Sequence, residues 1–432
     1  MMVPSQRLLL VAALVVVPAA TVAGLSVRAA PVALGVLALC AAAAAADAVW
    51  GGRLIRALGL RTPDYLRLTK DVPANLPVTV ENLAPLALPI RLAAVMPRGI
   101  EAEKPALDAT VPPGASQLQW PCTGRTRGNH PLDELYLETP SPLGLWTMRA
   151  PRAVRFTFRV YPNLRDRATA SLFLGTAQAG LRTRRQVGKG REFDNLRHYV
   201  AGDSYEDIHW KATARRGFPV VKLYRVEHAQ EVYAVIDTSR LNARENILDG
   251  YVDAALHLAL VAQRQGDRFG LVTFNDRTQR LVRARNGMDH FRLCRETIYG
   301  LRAERVSPDF REVFTSLQLN LRRRSLLVFF TSLDDALLAE AFDREIPLLA
   351  RRHLVRVVVT RTAGIQPLFA GEPPGSIDAV YERLAGQMLS NRMRTLQLAL
   401  ENRGVRLTIA DPQRIKAQVT AEYLDVKRRQ VL

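Results

Sequence analysis

The chain has 432 residues, with 60 Lys and Arg against 41 Asp and Glu, a formal charge of +19, and a hydrophobic fraction of 48%. That length predicts two or three domains, and the composition excludes global disorder and a collagen-like fibre. Cys40, Cys122 and Cys294 are too far apart for a Cys-x-x-Cys or zinc-ligand spacing, and no disulfide framework can be written from them.

The first 52 residues read as a membrane hairpin. No charge occurs between Arg7 and Arg28, and between Arg28 and Arg53 there is only Asp47. The two runs, about 8–27 and 29–50, reach the ~20 residues needed to cross hydrocarbon. A cleaved signal peptide competes for the first run, since Arg7 precedes it and the small residues Ala19, Ala20 and Ala23 lie near its end. The length of Leu8–Val27 and the immediate second span favour the hairpin. Arg53, Arg56 and Arg61 follow the second span, while Arg28 alone sits in the connection. The positive-inside rule then puts both termini and all the soluble domains in the cytoplasm, with the chain a multi-pass protein of the inner membrane.

Residues 63–162 predict a small β-sandwich. Leu66–Thr69, Val78–Glu81, Ile90–Val95, Gln117–Trp120, Leu135–Leu137 and Val154–Val160 are short runs of β-formers, and Pro112-Pro113-Gly114 is a turn. Arg155, Thr157 and Arg159 alternate with Phe156, Phe158 and Val160, a period of two with the aromatic face inward.

Residues 163–230 read as a connector, partly helical over 163–185, followed by a dense polar stretch from Gly188 to Gly217. Gly188-Lys189-Gly190 lacks the spacing of a phosphate loop. Two readings compete for the rest. Arg197, Arg215 and Arg216 can pair with Glu192, Asp194 and Asp203 around Phe193, Tyr199 and Trp210, beside Lys211, in a network that locks the segment against the following domain. The alternative is a hydrolase or transferase using His198, Asp203 and His209; ion-pair networks perturb the same groups without chemistry, so the expectation is a protein that is not an enzyme.

From residue 231 strands and helices alternate. Val232–Ile236, Phe269–Phe274, Leu326–Phe330, Val355–Val359 and Val405–Ile409 predict strands covered on both faces, and Ile247–Gln265, Met288–Ala303, Asp334–Arg352 and Ile377–Arg403 predict helices. Arg280–Arg285 predicts an antiparallel edge strand. The fold expected for 231–432 is a doubly wound α/β sheet, in which ligands bind outside the carboxyl ends of strands. Asp237, Ser239 and Asp334 fall at two such ends, oxygen donors of the kind Mg²⁺ takes. Helix capping is the competing role for each.

The order of elements from Val232 to Arg429 resembles the von Willebrand factor A domain, whose metal-ion-dependent adhesion site begins Asp-x-Ser-x-Ser. Here Asp237 and Ser239 match and Leu241 replaces the second serine. The resemblance implies a further donor in the loop before the helix near Arg311, where Ser307 and Asp309 are the candidates. The site is therefore expected to be degenerate, with weak Mg²⁺ binding at most and no other cofactor.

The polar stretch, with Gly190-x-Glu192-Phe193, Leu196-Arg197-x-Tyr199, Gly202-Asp203, Ile208-x-Trp210-Lys211 and Ala214-Arg215, resembles the domain-of-unknown-function 58 family. Pro140–Trp146, Val160–Pro162 and the membrane hairpin resemble it too. Glu206 and Asp207 depart from it, standing where basic residues are expected. The family resemblance implies a membrane-anchored, von Willebrand A-like adaptor that works with a MoxR-type AAA+ ATPase in chaperone-like assembly or activation of a client protein. No zinc finger or aromatic-rich RNA-binding signature accompanies the positive charge, so an acidic partner or the anionic inner leaflet is expected rather than nucleic acid.

Overall fold

The computed structural model describes residues 1–25, 30–164, 187–188, 192–225, 229–244, 247–361 and 376–429. The stretch 165–186, which holds most of the connector read as partly helical, lies outside them. The chain divides into two compact units, Met1–Asn163 and Leu164–Leu432.

In the first unit β1 (Met2–Pro4) leads into α1 (Gln6–Leu25) and α2 (Ala30–Arg56). Both helices are long and apolar enough to cross a membrane, and they expose Leu9, Leu14, Val32 and Leu39. The strands that follow are β2 (Leu58–Arg61), β3 (Tyr65–Thr69), β4 (Pro73–Asn82), β5 (Leu88–Ala93), β6 (Ile100–Ala102), β7 (Ala106–Val111), β8 (Gly114–Gly124), β9 (Gly128–Pro140) and β10 (Trp146–Tyr161). One sheet runs β2-β4-β8-β6, and the other runs β1-β10-β9-β5-β7 with β3 parallel to β10. The alternation in β10 sets its inward face: Phe156, Phe158 and Val160 are buried, whereas Arg155 is exposed. These side chains join Leu76, Val78, Val80 and Trp120 from the other sheet in one core. The Trp120 indole N–H donates to Lys104 O at 3.1 Å, so its large apolar body is buried without leaving the donor unmatched.

The second unit begins with β11 (Val187–Gly188), β12 (Glu192–His198), the short helix α3 (Trp210–Arg216) and β13 (Val220–Arg225), the strands forming a sheet ordered β11-β13-β12. Sequence patterning predicts no strand in the polar signature stretch, where β12 pairs antiparallel with β13. Next come β14 (Glu231–Asp237), α4 (Ile247–Arg264), β15 (Arg268–Phe274), β16 (Thr278–Arg285), α5 (Met288–Ile298), α6 (Phe310–Asn320), β17 (Leu326–Phe330), α7 (Ala336–Glu345), α8 (Pro347–Ala350), β18 (Leu354–Thr360), α9 (Ile377–Asn402), β19 (Arg406–Ala410) and α10 (Ile415–Arg429). The run expected as a single helix over Asp334–Arg352 divides at Pro347, which has no N–H to continue the ladder and takes the first position of α8.

The six-stranded sheet is ordered β16-β15-β14-β17-β18-β19, parallel throughout except for β16. Val232, Ala234 and Ile236 of β14 pack into one core with Tyr251, Leu258, Cys294 and Tyr423. Tyr233 and Val235, on the other face, pack with Phe314, Phe342, Leu349 and Leu400. Each Val, Leu, Ile or Phe among them taken fully out of water contributes about 1.5–3 kcal/mol, which is why strands covered on both faces are apolar without alternation. The two faces together hold the carboxyl ends of β14 and β17 side by side, with Ile236 opposite Phe330.

Candidate functional site

Asp237 closes β14 and is 0% exposed. Its Oδ1 accepts from Ser239 N at 2.8 Å and its Oδ2 from the Thr331 hydroxyl at 2.5 Å, while its carbonyl accepts from Asn242 Nδ2 at 2.9 Å. Burial pushes the Asp237 carboxyl above the usual carboxylate range; the Thr331 and Ser239 donors oppose this and do not overcome it. Below it, the hydroxyl of Tyr251 in α4 donates to Thr331 O at 2.9 Å and accepts from Thr360 N at 3.0 Å, bracing the ends of β17 and β18. Burial raises the pKa of this phenol well above its ordinary value, with the charges of Asp237 and Asp334 adding to the rise.

Above Asp237 three loops meet through one side chain. Arg240 Nε donates to Ser307 Oγ at 2.9 Å, Arg240 Nη2 to Asp335 Oδ2 at 3.2 Å, and Arg240 N to Val306 O at 2.9 Å. Glu304 N donates to Thr238 O at 2.8 Å, and its carboxylate takes Asn275 Nδ2 and Gln279 Nε2, each at 2.9 Å. The β15–β16 turn and the 300–306 loop line a groove of about 900 Å³, which carries Arg277, Arg280 and Arg302 beside Glu304.

The residues expected to surround a cation have other partners. Ser239 Oγ accepts from Leu241 N and caps the single turn Arg240–Asn242. Asp309 is the N-cap of α6, accepting from Glu312 N at 3.1 Å. The cap of α7 is Asp335, not Asp334: it accepts from Leu337 N and Leu338 N and is held below the usual carboxylate range mainly by the Leu338 N–H, with Arg240 adding to the same effect. With Asp309 turned to its own helix, Leu241 in a donor's place and the Arg240 guanidinium bridging the loops, the residues present do not fit a dedicated Mg²⁺ site. Among the described residues no group of three or more His, Cys, Asp or Glu is arranged to hold a metal.

In the signature segment Arg197 Nη2 donates to Asp203 Oδ1 at 2.5 Å, and Val200 N donates to Asp203 Oδ2 at 2.9 Å. These bonds, Arg197 first, hold the Asp203 carboxyl below the usual carboxylate range. His209 is the N-cap of α3 through Nδ1, and His198 stacks on Phe218 with ring centroids 4.3 Å apart. The structure therefore gives His198, Asp203 and His209 separate partners. Tyr199 stacks on Tyr205 at 6.0 Å. Trp210 is 67% exposed, and Lys211, Arg215 and Arg216 are exposed. The side chains of Glu192, Phe193 and Asp194 lie outside the described residues.

Sequence reasoning missed Arg240, Thr331, Asn242 and Tyr251. Thr331 carried a signal, a hydroxyl directly at a strand end. Arg240 carried none, because its partners are 67 and 95 positions away.

Residues of this chain have weak likeness to two solved structures. The SpRpn10 VWA domain is 11% identical, with a TM-score of 0.28 over 45% of this chain and 95% of that one. The human CEP192 ASH / PapD-like domain is 9% identical, with a TM-score of 0.19 over 25% of this chain and 87% of that one. A search of curated proteins finds no match. Residues 195–363, which take in the Arg197–Asp203 pair and all the loops around Asp237, match the family model described as Protein of unknown function DUF58, and the chain carries a DUF58 domain.

Proposed function

We propose that this chain is a membrane-anchored interaction protein rather than an enzyme. In this reading a von Willebrand factor A-like, doubly wound α/β domain presents its carboxyl-edge loops to a MoxR-type AAA+ ATPase, and the pair assembles or activates a client protein. The apolar hairpin anchors the chain with both termini in the cytoplasm, and the first unit serves as a β-sandwich spacer. The observation that carries the reading is the tie made by Arg240 across the loops at 237–242, 304–309 and 331–335. Such a tie fixes a surface in advance, so that a partner does not bear the ordering of three loops on binding. The groove beside it, with Arg277, Arg280 and Arg302, suits an acidic segment, because complementary charge steers encounter and fixes register.

The test reconstitutes the full chain in lipid nanodiscs and titrates a purified MoxR-type ATPase, with and without a chelator of divalent ions. Saturable binding that survives the chelator and weakens with added salt is expected. Absence of binding across the titration would remove the ATPase partnership.

A further inference from the structure

The loop between β9 and β10 is built around one acidic side chain in α2. Asp47 is 2% exposed, although the helix around it is apolar and long enough to cross a membrane. Its oxygens accept from Ser141 Oγ at 2.5 Å, Leu143 N at 2.9 Å and Leu145 N at 3.3 Å. The Trp146 indole N–H closes the same contact on Ala44 O at 2.8 Å. The start of α1 is tied to this loop as well: Ser5 Oγ donates to Gly144 O at 2.6 Å, and Ser5 N to Leu145 O at 2.9 Å. Gly51 permits the close approach, since a Cβ there would stand 2.6 Å from Met148 Cε. One loop thus holds both helices at a common level.

That level divides each helix. Neither Leu8–Leu25 nor Ala30–Ala46 contains a charged residue. At about 1.5 Å per residue each rises about 26 Å, near the ~30 Å thickness of a hydrocarbon core. Past it, α2 shows exposed Trp50 and then Arg53 and Arg56, the aromatic-then-basic order of a membrane interface. Pro142 and Leu143 are exposed on the loop, Leu143 by 60%. The N–H groups of Leu143 and Leu145 are bonded to Asp47, so the loop turns outward without bare donors there, the condition for backbone near lipid.

We propose that Ser141–Trp146 is a lipid-facing collar that lies at the boundary between acyl chains and headgroups of the bilayer crossed by α1 and α2. Leu143 enters that boundary, and Asp47 is screened from lipid by Ser141, Leu143 and Leu145. The collar rests on the membrane-anchor reading and deepens it: the hydrocarbon ends at Asp47, before the apolar run of the sequence ends at Trp50.

The experiment uses the full chain with Cys40→Ala and one added cysteine, labelled in detergent with an environment-sensitive fluorophore and then reconstituted in phosphatidylcholine vesicles. Cys122 and Cys294 stay unlabelled, being buried with thiols pushed up to about 11 and about 12 by that burial. The positions are Leu143→Cys, Leu34→Cys on the apolar helix and Asp133→Cys on β9. Lipids brominated near the headgroup are expected to quench the label at 143 several-fold more than the label at 133, while deep bromines quench the label at 34. If 34 is quenched and 143 behaves like 133, the collar is overturned and the anchor stands. If 34 also behaves like 133, the anchor fails and the collar with it.

Discussion

Two aspartates are buried at opposite ends of neighbouring parallel strands, Asp237 at the end of β14 and Asp267 just before β15. Asp267 Oδ2 receives the Tyr423 hydroxyl at 2.5 Å and Lys427 Nζ at 2.9 Å, both from α10, and Oδ1 receives Gln230 N at 3.2 Å. Asp237 receives a main-chain N–H and a hydroxyl, and its charged form is disfavoured by burial. The same residue type at the same depth therefore has two uses. At the amino edge the carboxylate pins the last helix to the sheet through a cation. At the carboxyl edge it organises a loop by hydrogen bonds, and the cation of that region, Arg240, stands outward where it joins loops.

Breaking the amino-edge pair has the largest expected effect. Asp267→Ala leaves Lys427 without its carboxylate beside Gln265 O, at a cost of about 3–5 kcal/mol, read as a lowered midpoint in denaturant melts of the detergent-solubilised full chain. An unchanged midpoint would remove the distinction between the edges.

His353, also at the amino edge, sharpens the contrast, being buried with both ring nitrogens unmatched among the described residues. Burial first, and then the charge of Arg352, lower its pKa to about 4. Its neutral form supports the fold above the unfolded value of about 6.5, and that support, about 3 kcal/mol, is lost as pH falls through the interval down to about 4. His353→Leu is expected to remove this acid-side slope; a slope retained in full would contradict the assignment.

At the carboxyl edge the sign reverses. The folded pKa of Asp237 lies above its unfolded value, so its contribution is fully present below the unfolded carboxylate range and is lost as pH rises through the folded value. Asp237→Asn keeps an acceptor for Ser239 N and offers an amide donor to Thr331 Oγ1. We expect stability at neutral pH within about 1 kcal/mol of the parent, or above it, since the charge is gone and a net hydrogen bond is worth about that much. Mg²⁺ up to millimolar levels is expected to leave the midpoint unmoved. A Mg²⁺-dependent rise abolished by Asp237→Asn would restore the cation reading.

These distinctions were only partly legible in the sequence. Val232–Ile236 reads as a strand because it is a short apolar run rich in β-branched residues, as suits a strand covered on both faces, and β14 extends it by one residue at each end. The Phe156, Phe158, Val160 alternation of β10 was visible for a different reason, its period of two with one face buried. The antiparallel β12–β13 pair was not, because Glu192–His198 is polar and its register shifts between Phe193 and Asn195. Edge strands such as Leu58–Arg61 and Ile100–Ala102 are three or four residues long and leave little pattern. Asp237 and Ser239 stood out as oxygen donors at a strand end. The choice of Asp335 over Asp334 as a cap depends on one residue's backbone angles, which composition does not encode. Arg240 depends on loops that only the folded sheet brings together.

The most direct measurement is binding of the MoxR-type ATPase to the full chain in nanodiscs carrying Arg240→Ala, alongside its melting midpoint. Because the Arg240–Asp335 pair is exposed on one side, its removal costs no more than about 1 kcal/mol of stability. The account predicts a midpoint close to the parent's with capture weakened at least tenfold. Capture at parental affinity, with the side-chain bonds to Ser307 and Asp335 gone, would contradict it.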